Sequence, residues 1–146
     1  MLRHIDPILS PELLAILRQM GHGDEIAIVD ANFPSVTMGK RVVRADGVTA
    51  THMAEAILKL MPLDEFETET AFSMKQVHAP EEMAPVCVEF EAIVKQYSGG
   101  KFTLTPLERF AFYDRVRTCF AVVATAERRL YGNVILKKGV LQPGEG

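Results

Sequence analysis

The feature that most limits the possible folds is a pair of short apolar runs in which no polar residue alternates. The segments between Glu25 and Asp30 (Ile-Ala-Ile-Val) and from Phe120 to Thr125 (Phe-Ala-Val-Val-Ala-Thr) are almost wholly apolar. A strand with one wet face alternates apolar and polar residues, whereas a strand covered on both faces is apolar throughout. The two runs therefore predict buried strands in a sheet that carries helices on both faces.

Helical patterns of roughly 10 to 15 residues separate these and other strand-like segments. Ser10 suits an N-cap and Pro11 a first helical position, and Gly21 is a suitable stop. The other helices are predicted to begin at Thr51, at Pro80 or Pro85, and after Thr105-Pro106. Further strands are predicted at Arg41–Arg44, Thr68–Val77 and Tyr131–Leu136, with a loop at Asn32–Ser35.

This alternation predicts an α/β fold with three layers, α/β/α, around a mainly parallel but mixed sheet, as a single domain over residues 1–146. The link from Ala126 to Leu130 is too short for a crossover helix, so the last two strands are expected to pair directly.

Composition excludes several classes of protein. The net charge of −3 and the scattered Lys and Arg residues argue against a nucleic-acid binder. No apolar run reaches the length of a membrane span, and the first residues lack the apolar core of a signal peptide. A soluble cytoplasmic protein is expected. Cys87 and Cys119 are predicted to be buried free thiols, and the histidines lack metal-ligand spacing.

Two polar residues bracket the first apolar strand. His22 lies between two glycines, which leave its imidazole open to a ligand, and histidine transfers protons near neutral pH. Asp24 could orient that imidazole or bond to turn amides. Asp30 follows the strand, where α/β sheets bind ligands and where a carboxylate can accept hydrogen bonds from hydroxyls. His22 as a helix-end cap and Asp30 as a turn residue are the structural alternatives.

The second half of the chain contains two further candidate segments. Arg109 and Tyr113 are four residues apart and share one helix face, where the guanidinium could donate to an oxygen of a ligand. A solvent-exposed arginine is the alternative. Tyr131, Gly132 and Asn133 combine close backbone approach with donor and acceptor groups that suit a neutral polyol. A plain strand entry after a turn is the alternative.

Taken together, these segments resemble the L-fucose mutarotase / D-ribose pyranase family. The match spans roughly residues 5–61 and 106–140, whereas residues 62–105 are not diagnostic. Asn32-Phe33 and Arg109 favour the L-fucose mutarotase branch. The segments that carry the resemblance are 7–14, 20–26, 30–34, 43–47, 109–113 and 131–140.

The resemblance implies an isomerase that interconverts the α and β anomers of L-fucose or a similar free monosaccharide. It implies that His22 is the proton donor and that Asp30, Arg109 and Tyr131–Asn133 bind substrate. Ring opening and closure require no cofactor and no metal. Whether Tyr113 or a water molecule carries the second proton is left open.

The family also forms homo-oligomeric rings, decamers in some members, with sites completed across subunit contacts. A homo-oligomer is therefore expected, although the sequence does not indicate the subunit count. Two alternative functions are a pyranase that converts D-ribose between ring forms and a monosaccharide-binding accessory protein without catalysis.

Overall fold

The computed structural model describes residues 1–146 and contains one six-stranded sheet. The helices are α1 (Pro11–Gln19), α2 (Ser35–Met38), α3 (Ala50–Leu58), α4 (Pro85–Tyr97) and α5 (Arg109–Thr118). The strands are β1 (Glu25–Val29), β2 (Val42–Ala45), β3 (Ala71–Met74), β4 (Thr105–Leu107), β5 (Ala121–Thr125) and β6 (Val134–Lys137).

The strand order in the sheet is β2-β5-β1-β6-β3-β4. Parallel pairing joins β1 to β5, β5 to β2 and β3 to β4, whereas β6 is antiparallel to both of its neighbours. Five strands thus point the same way and only β6 is reversed, which confirms the prediction of a mainly parallel, mixed sheet. The carboxyl ends of the five strands form one edge of the sheet, where α/β proteins bind ligands.

Both faces of the sheet are covered, as the apolar runs predicted. On β1, Ile26 and Ile28 pack into the larger core with α1, α3 and α4. Ala27 and Val29 point the other way and pack with α5, whose Phe112 is fully buried. Because successive strand residues face opposite sides, a strand buried on both faces must be apolar at every position. The three-layer prediction is confirmed.

The predicted start signals are confirmed at two helices. The hydroxyl of Ser10 accepts a hydrogen bond from the backbone N–H of Leu13 at 3.1 Å, and Pro11 is the first residue of α1. Helix α4 begins at Pro85, one of the two predicted starts. These signals can be read from sequence because an N-cap hydrogen bond and the fixed φ of a first-position proline both act within the first turn.

Other predicted starts were wrong by a few residues. Thr49, and not Thr51, caps α3 by accepting from His52 N–H at 3.3 Å. Pro106 lies in the edge strand β4, which tolerates proline, and Glu108 is the N-cap of α5. The segment that begins at Tyr131 joins the sheet only from Val134, because Tyr131 adopts a positive φ of 64° that no strand allows.

Two connections also differ from prediction. Strands β5 and β6 do not pair, since β1 lies between them and bonds to both. The short link from Ala126 to Leu130 therefore crosses over the end of β1, where Ala31 N–H donates to Glu127 C=O at 2.9 Å. In addition, the predicted loop at Asn32–Ser35 leads into α2, a single helical turn.

Two further predictions concern membrane-spanning segments and the burial of the two cysteines. None of the helices combines the length and the apolar character that crossing a bilayer requires. Cys87 and Cys119 are buried free thiols, as predicted. Burial raises the pKa of Cys87 to about 11 and that of Cys119 to about 12.

Gly139 provides a prediction on stability. Its N–H donates to Pro62 C=O at 2.8 Å, and a Cβ at this position would overlap the backbone of Leu63. We expect Gly139→Ala to lower the free energy of unfolding by about 2 kcal/mol, since backbone cannot move aside as a side chain can. Urea denaturation measures this. In the control Gly21→Ala the nearest atom to the new Cβ is 3.7 Å away, and equal stabilities of the two variants would contradict the prediction.

Candidate functional site

The carboxyl edge of the sheet holds a buried, reciprocally bonded pair, Asp30 and Asn133. Asp30 N–H donates to Asn133 Oδ1 at 2.9 Å, and Asn133 Nδ2 donates to Asp30 Oδ2 at 3.0 Å. Asp30 directly follows β1 and Asn133 directly precedes β6, so the β1–β6 pairing brings them together across 103 residues of chain. Tertiary structure therefore joins two residues that the sequence predicted separately.

The carboxylate of Asp30 keeps capacity for a ligand. Its Oδ1 accepts from Asn32 N–H at 3.0 Å, so Asp30 also shapes its loop as the structural alternative predicted. Burial raises the pKa of Asp30 above its usual value, and the hydrogen bonds from Asn32 and Asn133 oppose that rise. An ionised carboxylate offers about four acceptor positions. The two hydrogen bonds that the carboxylate accepts leave positions for hydroxyl groups of a ligand.

Tyr131 is held in a left-handed backbone conformation beside this pair, with φ of 64°. Such a conformation costs a residue other than glycine about 1 kcal/mol and is concentrated at functional sites. Its phenol oxygen accepts from Val77 N–H at 3.0 Å. Because the oxygen already accepts from backbone, the phenol hydrogen is free to be donated to a ligand.

The backbone at Gly132 lies close to the side chains of Glu127 and Asp30. A Cβ here would lie 2.6 Å from Cγ of Glu127 and 3.4 Å from Cβ of Asp30. The absence of a side chain therefore lets the turn lie close to both Glu127 and Asp30, which is the close approach that the sequence indicated for this glycine.

Arg109 and Tyr113 reach the same edge from the first turns of α5. Arg109 Nε is buried and has no hydrogen-bond partner, and the guanidinium lies 4.6 Å from the ring centre of Phe110. A buried, unpaired donor costs free energy, so such a group points to a ligand that would accept from it. The ring of Tyr113 packs edge-on against Phe33 at 5.4 Å.

These groups line one cleft of about 210 Å³. The structure brings together the predicted residues Asp30, Arg109, Tyr113, Tyr131 and Asn133. The cleft is lined by Asp30, Asn32, Phe33, Met74, Val77, Arg109, Tyr113, Leu130, Tyr131 and Asn133.

His22 lies elsewhere, at the opposite edge of the sheet. It precedes β1, whereas Asp30 follows it, and the strand between them spans roughly 20 Å at about 3.3 Å per residue. The turn is held by Gly21 N–H, which donates to Asp24 at 2.7 Å. Asp24 thus bonds to turn amides, one of its two predicted roles, and does not contact the imidazole. Within one chain, His22 does not join the cleft.

Asp64 is the partner of His22 that sequence analysis missed. His22 Nε2 and Asp64 Oδ1 are 2.9 Å apart, with the imidazole 47% exposed and the carboxylate only 3% exposed. Burial opposes ionisation of Asp64, but hydrogen bonds from His22 and from Phe66 N–H hold its pKa below the usual value. The contact joins residues 42 positions apart, and nothing in the segment after Pro62 signals it.

A second cleft adjoins this histidine. The ring of Phe66 lies 5.2 Å from the imidazole, and its side chain is 74% exposed. Phe66 also lines a cleft of about 580 Å³ between residues 62–66 and residues 140–145. The two edges of the sheet therefore carry different groups. One edge has the imidazole of His22 but not the polar cleft, and the other has the cleft, whose lining includes no histidine.

The fold and these two clusters define a small α/β protein whose polar cleft suits a neutral, hydroxyl-rich ligand. The chain belongs to the RbsD / FucU transport protein family, whose model matches residues 3–141.

Named relatives and a solved structure agree with that membership. The chain is 45% identical to the fucose mutarotase of Danio rerio, over 99% of this chain and 97% of that protein. It is 45% identical to the fucose mutarotase of Homo sapiens, over 96% and 94%. The crystal structure of the fucose mutarotase from Streptococcus pneumoniae in complex with L-fucose superposes with a TM-score of 0.89 at 39% identity, covering 97% of this chain and all of that one.

Proposed function

We propose that this protein is an isomerase that interconverts the α and β anomers of L-fucose and that it acts in the cytoplasm. The observation that carries the proposal is the cleft that joins the Asp30–Asn133 pair, the unpartnered Nε of Arg109 and the phenol of Tyr131. Relatives that share 45% of their residues with this chain over nearly the whole length are fucose mutarotases, which supports the same substrate.

Each group in the cleft has a distinct part in binding the sugar. Asp30 accepts hydrogen bonds from sugar hydroxyls, while Arg109 and Tyr131 donate to sugar oxygens. Asn133 uses its carbonyl oxygen and one N–H of its amide in the hydrogen bonds to Asp30, so the second N–H is available to donate to the ligand. The apolar wall that includes Phe33 covers the C–H face of the ring.

Anomer exchange requires two proton transfers. A proton reaches the ring oxygen while another leaves the anomeric hydroxyl, the ring opens, and reclosure on the other carbonyl face reverses both transfers. Positioned acid–base groups contribute about 10² to 10⁴-fold to such a step. The chemistry needs no covalent intermediate, only one group that delivers the proton to the ring oxygen and a second that accepts the proton of the anomeric hydroxyl.

His22 is the proposed proton donor, and its contact with Asp64 selects the reactive nitrogen. An ionised carboxylate only accepts hydrogen bonds, so Nε2 of the imidazole carries the hydrogen that faces Asp64. Nδ1 is then the nitrogen that exchanges a proton with the sugar.

The proposal includes a homo-oligomer because His22 and the cleft occupy opposite edges of one chain. A heterologous contact places one edge of a subunit against the other edge of its neighbour, and repetition of that contact closes a ring. In such a ring His22 of one copy faces the cleft of the next.

Exchange NMR tests the activity directly. Selective saturation of the α-anomer signal of L-fucose should transfer to the β-anomer signal faster with enzyme than without it. D-Galactose and D-ribose in parallel samples measure specificity, and we expect L-fucose to respond most strongly. Faster exchange with D-ribose than with L-fucose would favour the pyranase alternative, and binding of L-fucose without faster exchange would favour an accessory protein.

A further inference from the structure

One buried carboxylate has no part in the chemistry proposed above. Glu127 lies in the turn between β5 and β6 and is only 3% exposed. Glutamate is almost never fully buried unless it is paired. Glu127 is paired through its side chain with Arg129, and its backbone bonds to the segment that follows β1.

The carboxylate of Glu127 closes its own turn through Arg129. Oε1 accepts from the backbone N–H of Arg129 at 3.1 Å and from its Nε at 2.9 Å, and Oε2 accepts from the terminal nitrogen Nη2 at 3.0 Å. These bonds from Arg129 hold the pKa of Glu127 below its usual value, against the opposing effect of burial. Arg129 also reaches outward to Glu89 of α4 at 2.7 Å.

The backbone of Glu127 ties the same turn to the segment that follows β1. Its C=O accepts from Ala31 N–H at 2.9 Å, the residue next to Asp30. Its N–H donates to the hydroxyl of Thr125 at 3.2 Å, and that hydroxyl donates to Val29 C=O at 2.7 Å. Glu127 thus links β1, β5 and the start of the Asp30 loop.

The aliphatic stem of the Glu127 side chain packs against the turn that carries Tyr131, Gly132 and Asn133. Its Cγ lies only 2.6 Å from the point where a Cβ of Gly132 would be, so the stem fills the space that a side chain at position 132 would occupy. Gly132 stands between Tyr131 and Asn133, so a shift of this stem would move the phenol and the amide together. Interiors are close-packed and transmit such shifts.

We propose that Glu127 is a positioning residue for sugar binding, one that sets the places of the Tyr131 hydroxyl and the Asn133 amide without touching the sugar. This inference rests on the proposed function for the identity of the ligand. Since Glu127 acts on the binding groups and not on His22, its loss should weaken sugar binding more than it slows turnover.

Glu127→Gln is the main test. The glutamine keeps the size of the side chain but turns an N–H₂ donor towards the donors of Arg129. We expect the half-saturating concentration of L-fucose in exchange NMR to rise about tenfold, as for the loss of a charge-assisted hydrogen bond, with the maximal exchange rate within about twofold of wild type. The matched control Glu89→Gln removes only the outer, half-exposed partner of Arg129 and should leave both quantities unchanged.

Arg129→Lys gives a second measurement that does not depend on folding of the first variant. It keeps the charge near Glu127 and loses the paired contacts of the guanidinium, so we expect a smaller rise in the half-saturating concentration. Thermal denaturation of each variant accompanies the kinetics. Lower thermal stability with an unchanged half-saturating concentration, or a fall in maximal rate alone, would overturn the positioning role.

A wild-type control separates this inference from the proposed function. If wild type binds L-fucose without accelerating exchange, the proposed activity fails, and the dissociation constants of the same variants, measured by NMR titration, still test Glu127. A rise of about tenfold for Glu127→Gln would then support the positioning role. A wild type that neither binds nor interconverts the sugar would overturn both.

Discussion

Co-expressed subunits of a His22→Gln variant and an Asp30→Asn variant are expected to recover anomer exchange that neither variant has alone. Each single change removes a group from every site, and we expect each to lower the exchange rate by at least about 10²-fold. In mixed rings of the proposed arrangement, some sites combine an intact His22 from one subunit with an intact Asp30 from the next. Random assembly gives about a quarter of wild-type activity for a site shared by two neighbours.

Two differently tagged subunits make this experiment decisive. Tandem purification isolates rings that contain both variants, and exchange NMR with L-fucose measures their activity. Rings made only of His22→Gln subunits are the control and should stay inactive. Inactive mixed rings would show that His22 does not serve the cleft of a neighbouring copy, and the proton-donor role would then have to pass to another group.

Replacement of Asn133 by aspartate is expected to have the largest effect on stability. It would place a second carboxylate about 3.0 Å from Oδ2 of Asp30 in a buried setting. Two like charges so close cannot both ionise, so the pair retains a proton that the unfolded chain releases. We expect a loss of about 3 kcal/mol in the free energy of unfolding at neutral pH.

The pH dependence of that loss has a definite sign. A carboxyl pKa raised in the folded state leaves stability intact below the usual carboxyl pKa and lowers it as the pH rises above that value. Urea denaturation of Asn133→Asp should therefore show a smaller loss at pH 4 than at pH 8. An equal loss at both values would contradict the electrostatic explanation and leave a packing effect.

The double variant Asp30→Asn with Asn133→Asp is the matched control. Exchanging the two side chains preserves both reciprocal hydrogen bonds and restores a single carboxylate, so most of the lost stability should return. The charge now belongs to position 133, however, and activity should remain low because the carboxylate proposed to accept from the sugar has moved. Stability and binding are thereby separated at one pair of residues.

The sequence was most reliable where structure depends on neighbouring residues. The Ser10 cap and the helix start at Pro85 were predicted because their hydrogen bonds and dihedral limits lie within one turn. Errors occurred where a segment had two local solutions. Thr49 and Thr51 can both cap a helix, and Pro106 suits both a helix start and an edge strand.

For the site, residue types could be predicted from local patterns, whereas their grouping was implied only by the family resemblance. A histidine between glycines and an aspartate after a buried strand are local patterns, and both were found. The pairing of His22 with Asp64 spans 42 residues and that of Asp30 with Asn133 spans 103, and no periodicity carries information over such distances. The supporting role of Glu127 depends on its burial against Gly132, which is equally invisible in the sequence.

The amino-acid sequence by itself determined a helix-covered, mainly parallel sheet and the chemical groups available to a ligand, because burial and capping leave their pattern in adjacent residues. Only the tertiary structure decided which edge of the sheet each group occupies. Strand order follows from the packing of all layers at once, and it places β1 between β5 and β6. That arrangement assembles the groups proposed to bind the sugar at one edge and leaves His22 at the other.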